Sequence, residues 1–263
     1  MGLTSFHLGS WRWRIAVGAL ATVCCAMAFA QTRPLNDTGV TFSALATSGH
    51  SASCLTTDPA GQDCHFGRDA AFIAGAITKA GGSGAANGFD FTKISHSGNP
   101  LPASASLGAG LNDWACTRDN VTGLLWEVKT TSGLRDENHT YTWYRTNSPD
   151  GNIGGASGGT CYSAGRCDTE KFVQDVNTSE LCGHATGWRM PTVMELQGVA
   201  DFGSTPVAMD ATYFPNTMGA FFWSGSLNAG GTASAWSFFS GTAGQSRSLK
   251  TNPFRVRLVN GAP

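Results

Sequence analysis

The chain has 263 residues, with 17 Lys and Arg against 18 Asp and Glu, so its formal net charge is −1. This balance excludes a strongly basic nucleic-acid binder and a chain with a polyanionic tail. Only 13% of the residues are charged and 34 are glycine, a composition that predicts a neutral, loop-rich protein with a core of aromatic side chains.

Residues 1–30 have the layout of a secretory signal peptide. Arg12 and Arg14 precede an apolar run from Ile15 to Phe29, and Ala28-Phe29-Ala30 is a small-x-small cleavage sequence. The run is too short to span a bilayer comfortably, and no later stretch approaches that length, so we expect no transmembrane anchor. Removing Arg12 and Arg14 from the 17 basic residues leaves 15 against 18 acidic ones, a net charge of −3. We expect an exported protein in the periplasm, on the cell surface or outside the cell.

Six cysteines follow the signal peptide and indicate three disulfides. An even number of cysteines in an exported chain is typical of a disulfide framework. Separation along the chain favours the pairs Cys54–Cys64, Cys161–Cys167 and Cys116–Cys182, although sequence alone leaves other pairings open. A zinc site is less favoured, because the chain has no C-x-x-C pair among these six and Cys64-His65 stands alone.

Residues 31–115 form a Gly/Ala/Ser-rich N-terminal region, with tracts such as Ala80–Ala86. No sustained Gly-x-y repeat is present, which excludes a collagen stalk. From residue 116 onwards the sequence predicts more regular elements. Thr122–Val128 and Thr140–Tyr144 have the apolar, aromatic and Thr content of strands.

Two helices are predicted in the second half of the chain. Asp168 is a candidate N-cap for the first, whose apolar positions lie on one side as far as Leu181. Thr192 followed three residues later by Glu195 forms a capping box at the start of the second. Arg189, just before this helix, is expected to pair with a buried carboxylate such as Glu195 or Glu127, because buried charges need partners.

Strand-like runs follow at Phe221–Ser224, Ala235–Phe239 and Phe254–Val259. In the last run, apolar residues alternate with Arg255 and Arg257, which predicts one apolar face and one basic face. Two helices and short antiparallel strands, joined by long loops and stapled by disulfides, predict an α+β fold.

Several separate motifs occur in one order along residues 116–260. They are Asp119-Asn-Val-Thr-Gly-Leu-Leu-Trp-Glu127, Leu181-Cys182, Gly187-Trp-Arg-Met-Pro-Thr192, Glu195-Leu196, Phe214-Pro-Asn216, Phe222-Trp-Ser224, Ala235-Trp236, Lys250 and Val256-Arg-Leu-Val259. This set resembles the Lcl (Legionella collagen-like) C-terminal domain family, named for the adhesive domain of a bacterial collagen-like surface protein.

The resemblance implies a C-type-lectin-like α+β domain over residues 116–260, related to the formylglycine-generating-enzyme superfamily. It also implies surface adhesion, and for the founding protein it implies trimer formation and binding of sulfated glycosaminoglycans. An oligomer is therefore an open expectation for this chain. The even cysteine count leaves no free thiol for the redox chemistry of the formylglycine-generating relatives.

No motif predicts catalysis, a metal or a cofactor. Gly155-Ala-Ser-Gly-Gly159 matches the nucleophile-elbow pattern, but it lies in a Gly-rich loop and not between a strand and a helix. Phe214-Pro-Asn216 retains the Pro-Asn of a lectin calcium tripeptide, but an aromatic ring replaces the oxygen ligand and cannot coordinate a hard cation. We therefore expect a protein that is not an enzyme and carries no cofactor.

Two groups of residues are candidates for ligand binding. Trp143 is flanked by Tyr141, Tyr144 and Arg145 beside a long loop, although core packing is the commoner role of such tryptophans. The densest late group of cations comprises Arg247, Lys250, Arg255 and Arg257. A solvated strand face is its commonest role, but the local positive charge could attract an acidic polysaccharide.

The sequence thus predicts an exported, non-enzymatic binding module, adhesin-like, whose partner is a surface glycan and in particular an acidic polysaccharide. Two alternatives belong to other classes. One is a structural or envelope-assembly protein without a small ligand, and the other is a cryptic enzyme of the formylglycine-generating superfamily. A glycan array distinguishes the first two, and a count of free thiols addresses the third.

Overall fold

A computed structural model describes residues 1–2, 34–52, 54 and 59–261. The predicted signal peptide lies outside these residues, apart from its first two. The described residues from 34 to 261 belong to one compact unit. Within the described part of the chain, no helix has both the length and the apolar character needed to cross a membrane.

The described residues form short strands and helices separated by long loops. The strands are β1 (Ser43–Ala44), β2 (His50–Ser51), β3 (Phe91–Ser95), β4 (Pro100–Leu101), β5 (Trp114–Asp119), β6 (Leu125–Glu127), β7 (Trp188–Arg189), β8 (Phe221–Leu227), β9 (Ser234–Phe239), β10 (Gly244–Leu249) and β11 (Val259–Asn260). The helices are α1 (Asp63–Phe66), α2 (Arg68–Ile73), α3 (Thr169–Thr178) and α4 (Val193–Gly198), with 3₁₀ turns at Gly82–Gly84 and Leu181–Gly183.

The strands form three sheets in which all paired neighbours are antiparallel. The largest has the order β4-β3-β5-β6-β11-β7, the second has the order β10-β9-β8, and β1 pairs with β2. The mixed α+β class is confirmed. Ile94 of β3 pairs with Cys116 of β5, so residues on both sides of the change in composition near residue 116 share one sheet.

Aromatic side chains fill two hydrophobic cores, as the composition predicts. Phe91, Trp126 and Phe214 belong to the first, and Trp143 and Trp223 to the second. Burying one such side chain stabilises the folded state by about 1.5–3 kcal/mol. The large rings thus offset the chain's low content of aliphatic residues.

Three disulfides join the pairs that separation along the chain favours, namely Cys54–Cys64, Cys116–Cys182 and Cys161–Cys167. Cys116–Cys182 links β5 to the Leu181–Gly183 turn inside the second core. Three disulfides are compatible with an exported domain, because oxidising compartments preserve them.

Both helices predicted in the second half begin where the sequence places them. The Asp168 carboxylate accepts a hydrogen bond from the Lys171 amide at the start of α3. This helix ends at Thr178, before Leu181, because Glu180 adopts a left-handed conformation with φ of 52°. The Thr192–Glu195 capping box is present in full at the start of α4.

Two predicted strands are mostly irregular. The residues of Thr140–Tyr144 make isolated bridges to several different segments instead of pairing along one strand. Only Val259 of the run Phe254–Val259 belongs to a strand, where it lies between β6 and β7. Local sequence patterns identify an extended backbone, but they do not show whether a single partner strand lies beside it.

Candidate functional site

The four late cations do not lie on one exposed basic face, in contrast to what the alternation of the sequence predicts. Arg247 is exposed on β10, but the side chains of Lys250 and Arg257 are only 1% exposed and Arg255 is half-buried. Alternation of apolar and charged residues predicts a solvated strand face only if no other segment of the chain packs against that face. In this protein, loops that are distant in sequence cover that face and supply partners for the buried cations.

Lys250 is enclosed by the Gly-rich loop that follows Trp143. Its ammonium donates to the Asp150 carboxylate at 2.9 Å and to the Asn152 carbonyl at 2.6 Å. It also lies 4.2 Å from the centroid of the Trp143 ring, within the range of a cation–π interaction. Lys250 therefore anchors the loop and has no face open to a polymer.

The guanidiniums of Arg255 and Arg257 also have hydrogen-bond partners within the protein. Arg255 Nε donates to the Glu137 carbonyl at 2.8 Å. Arg257 donates to the Glu127 carbonyl at 2.8 Å and to the Thr217 hydroxyl at 2.7 Å. Burial, opposed by the charge of Glu127, lowers the pKa of Arg257 to about 10, so this guanidinium stays charged at neutral pH.

Trp143 is 2% exposed, yet it lines the wall of an open cleft. Its indole N–H donates to the Ser224 carbonyl at 3.0 Å, which fixes the ring. The cleft has a volume of about 480 Å³, within the range typical of small-molecule sites. The residues around it are Trp143, Tyr144, Arg145, Thr169, Glu170, Val173, Arg189, Met190, Thr192 and Gly225. This cleft is the candidate functional site, and we call it the Tyr144 cleft.

Backbone and side-chain hydrogen bonds hold one wall of the Tyr144 cleft against α3. The Thr169 hydroxyl accepts from the Tyr144 amide and donates to the Tyr144 carbonyl, each at 2.9 Å. The Glu170 carboxylate accepts from the amide and the hydroxyl of Thr146, at 2.7 and 2.6 Å. The Tyr144 ring is therefore presented on a backbone that is fixed at both of its polar groups.

Two guanidiniums line the cleft, and only one has a carboxylate partner. Arg189 makes two hydrogen bonds to Glu195, at 2.8 and 2.6 Å. Burial opposes ionisation of Glu195, but the bonds from Arg189 and the Thr192 amide outweigh it and hold its pKa below the ordinary value. The Arg145 guanidinium has no hydrogen bond or ion pair with the described residues and is exposed. It is therefore available to a ligand.

The cleft combines features that suit a polar ligand with apolar faces. Tyr144, Val173 and Met190 supply apolar contact, whereas Arg145 and Glu170 supply a donor and an acceptor of opposite charge. Arg189 adds little net charge because Glu195 neutralises it. This balance favours a ligand with no large net charge.

The Gly155–Gly159 loop resembles a nucleophile elbow in part, but it lacks the free groups that nucleophilic catalysis by a serine requires. Ser157 has a φ of 52°, and Lys171 donates to its hydroxyl at 2.8 Å. However, the hydroxyl itself donates to the Gly165 carbonyl at 2.6 Å, and Lys171 is paired with Asp168. The Ser157 hydroxyl and the Lys171 ammonium are thus both engaged in contacts within the loop.

The amides next to Ser157 are also engaged. Gly158 N–H donates to the Thr142 hydroxyl, and Gly159 N–H donates to the Cys167 carbonyl. Neither is free to stabilise an oxyanion, which an acyl-transfer site needs. The loop is a turn that the Asp168 cap holds in place.

Two groups of described residues resemble metal ligands, namely Phe214-Pro-Asn216 and His65 with Cys54 and Cys64, and both contain residues with structural roles. Phe214 is buried in the first core, and the Asn216 amide donates to the Lys129 carbonyl at 3.0 Å. His65 lies close to the sulfurs of Cys54 and Cys64, but these are joined in a disulfide and offer no thiolate.

Sequence reasoning identified Trp143, Tyr144 and Arg145 but missed the opposite side of the cleft. Glu170 and Val173 come from the first turns of α3, and Met190 comes from the segment before α4. The apolar periodicity of α3 identifies its buried side. No local pattern shows which of the other residues lie against another segment of the chain. No sequence signal available here could have brought them together.

No curated protein sequence and no solved structure shows significant similarity to this chain. The family model described as the Lcl C-terminal domain matches residues 115–260. The matched segment starts in β5 and ends in β11, so it contains the Tyr144 cleft and most of both larger sheets. The chain belongs to the Lcl C-terminal domain family.

Proposed function

We propose that the chain is an exported, non-enzymatic binding module that recognises a saccharide in the Tyr144 cleft. Membership of a family of secreted bacterial domains and three disulfides support export. The related proposals of a C-type-lectin-like fold and an adhesin-like role rest on the family resemblance. The cleft is the feature of this chain's own residues that supports ligand binding.

The observation that carries the proposal is the pairing of the Tyr144 ring with the free Arg145 guanidinium in one cleft. The C–H face of a sugar packs on an aromatic ring, and its hydroxyls accept and donate hydrogen bonds. Arg145 supplies donors and Glu170 supplies an acceptor within the same cleft. Recognition sites commonly join an aromatic surface with a few such polar groups.

The charge of the cleft favours a neutral saccharide over an acidic polymer. An acidic polysaccharide needs several exposed cations in a row, and the predicted row is interrupted by the burial of Lys250 and Arg257. Arg145 and Glu170 carry opposite charges, so the cleft attracts polyanions only weakly. Binding should therefore depend little on ionic strength, in contrast to screened contacts between exposed charges.

A glycan array probed with the purified exported chain tests this proposal. We expect saccharide binding that is lost in Tyr144→Ala and retained in Tyr144→Phe, which keeps the ring. Truncating a central aromatic contact costs about 2 kcal/mol, or roughly thirtyfold in affinity. Arg247→Ala is the matched control, because Arg247 is exposed on β10 and does not line the cleft. Absence of any bound saccharide, or unchanged binding by Tyr144→Ala, would contradict the proposal.

A further inference from the structure

A second cleft lies on a different part of the protein, beside His96 and Arg135. Its volume is about 500 Å³. The loop from Thr130 to Arg135 forms one side, and the loop around Gly108 forms another. None of the residues that line it belongs to the Tyr144 cleft, so the inference drawn from it is independent of saccharide binding.

Arg135 connects this cleft to a buried cluster of charges with an excess of cations. The cluster contains one carboxylate, Glu127, and three cations, Lys129, Arg135 and Arg257, all at most 8% exposed. Lys129 Nζ lies 2.8 Å from Glu127 Oε1. The other Glu127 oxygen accepts from the Leu258 amide at 2.9 Å, so each oxygen of the single carboxylate has a partner.

The excess of positive charge does not depend on the protonation state of Lys129. Burial lowers the pKa of this lysine, but two guanidiniums would still face one carboxylate if Lys129 were neutral. Uncompensated charge in a protein interior is costly unless a counter-charge or hydrogen bonds offset it. Backbone carbonyls partly compensate Arg135, which donates to those of Ala115 and Val128 at 2.8 and 2.6 Å.

The second terminal nitrogen of Arg135 has one hydrogen-bond contact among the described residues, a long one to His96 Nε2 at 3.5 Å. The same Nε2 lies 3.1 Å from the Gly108 carbonyl, which can only accept. An imidazole nitrogen that donates to Gly108 cannot accept from Arg135. In the tautomer that donates to Gly108, this nitrogen of the largely buried Arg135 guanidinium faces a donor.

We propose that the cleft between His96 and Arg135 is an anion-binding site that takes a single sulfate, phosphate or carboxylate group. An oxyanion there accepts from Arg135 and supplies the negative charge that the buried cluster lacks. The exposed hydroxyls of Thr131 and Ser132 are further donors at its mouth. No Asp or Glu lines the cleft, and the nearby Asp113 carboxylate is held by the Gly110 amide at 2.8 Å.

The surroundings of His96 agree with a positive field in this cleft. Burial, followed by the charge of Arg135, lowers the pKa of His96, and this outweighs the opposing effects of Gly108 and Asp113. A bound anion beside the ring would act in the opposite direction, since it favours the protonated imidazole. The His96 ring is therefore a built-in reporter of occupancy.

The test follows the imidazole NMR signals of the exported chain during titration with sodium sulfate, with sodium chloride at matched ionic strength as reference. We expect a saturable shift of His96 with sulfate alone, while His50, His65 and His184 serve as internal references. A sulfated and a carboxylated monosaccharide are then tested as competitors. Competition identifies an oxyanion carried by a larger molecule, and its absence identifies the free ion.

Ser132 supplies the variants, because Arg135 also holds two backbone carbonyls and its loss could unfold the protein. Ser132→Glu places a carboxylate at the exposed mouth of the cleft and should weaken sulfate binding about tenfold or more by like-charge repulsion. Ser132→Gln has similar size without the charge and should bind sulfate as the native chain does. A native chain with no saturable sulfate shift, or equal binding by the Glu and Gln variants, would overturn the proposal.

Discussion

Arg189 and Glu195 form a two-pronged ion pair, with N–O distances of 2.8 and 2.6 Å, at the entrance to α4. The same carboxylate accepts from the Thr192 amide at 2.8 Å, and the Glu195 amide donates to the Thr192 hydroxyl at 3.1 Å. Glu195 thus joins the helix cap to one wall of the Tyr144 cleft. The sequence predicted Glu195 or Glu127 as the partner of Arg189, and in the structure the partner is Glu195.

A double-mutant cycle measures this pair. Arg189→Ala and Glu195→Ala should each reduce the free energy of unfolding, and their coupling should be about 1–3 kcal/mol, because the two side chains share hydrogen bonds. Urea unfolding of the native chain, the two single variants and the double variant gives the coupling. A coupling of zero would show that the ion pair contributes nothing to stability.

The pair should also make stability depend on pH. Folding lowers the pKa of Glu195 from its ordinary value of 4.5. The contribution of the pair is therefore complete above about pH 4.5 and is lost as pH falls through the lower, folded-state pKa. Urea midpoints measured between neutral and acidic pH should fall less in Glu195→Gln than in the native chain. Parallel pH profiles for the two proteins would contradict this assignment.

The capping hydroxyl of Thr192 is a second, separable contribution. Thr192→Ala removes the acceptor for the Glu195 amide and should cost about 1 kcal/mol. Thr192→Ser keeps the hydroxyl and should cost a small fraction of that. Equal losses in the two variants, measured by urea unfolding, would point to the methyl group and not to the cap.

Lys250 and Arg247 should behave oppositely, although they are three residues apart. Lys250→Met removes the partner of the partly exposed Asp150 carboxylate and should cost about 1–3 kcal/mol, the range for losing a hydrogen bond to a charged group. Arg247→Met alters an exposed position and should change the free energy of unfolding by less than about 0.5 kcal/mol. Similar effects of the two substitutions would mean that the buried contact of Lys250 with Asp150 is not formed in solution.

Acid should release the loop that Lys250 holds. Burial opposes ionisation of Asp150, but hydrogen bonds from Ser148 and Lys250 outweigh it and lower its pKa from 3.8 to about 2. This contribution to stability is present above pH 3.8 and disappears as pH falls through about 2. The native chain should lose its advantage over Asp150→Asn across this interval, and a constant difference would contradict the assignment.

The disulfides should contribute unequally. Cys116–Cys182 closes a separation of 66 residues, whereas Cys161–Cys167 closes one of 6. The chain-entropy relation assigns about 4 kcal/mol to the longer loop and about 2 kcal/mol to the shorter one. Paired Cys→Ala variants should therefore rank in that order in urea unfolding, with the reverse order as the contradicting result. The native exported chain should show no thiol reactive with maleimide under denaturing conditions.

Elements with local causes could be predicted from the sequence, and elements that depend on distant segments could not. The start of α4 is determined by two side chains three residues apart, Thr192 and Glu195, and it was predicted correctly. The environment of Lys250 depends on Asp150, which is 100 residues away. Alternation near the C-terminus predicted a strand with one basic face, but only Val259 of that run lies in a strand, and only the fold shows that distant segments cover the basic side chains.

The candidate site, too, was predicted only where its residues are close together in the sequence. The aromatic and basic residues at Trp143–Arg145 are adjacent in sequence and were identified as candidates, whereas Glu170 and Met190 reach the cleft only through the packing of α3 and the segment before α4. The excess of cations around Glu127 was also missed. Charges scattered between residues 127 and 257 do not form a pattern until the sheet brings them together.

The central claim is that a saccharide binds in the Tyr144 cleft, and amide chemical-shift mapping tests it most directly. The isotope-labelled exported chain is titrated with a saccharide selected from the array. The account predicts saturable shifts that cluster at residues 143–145, 169–173 and 189–192, and that vanish in Tyr144→Ala. Shifts confined to another surface, such as the exposed side of β9 and β10 with Trp236 and Arg247, would contradict it.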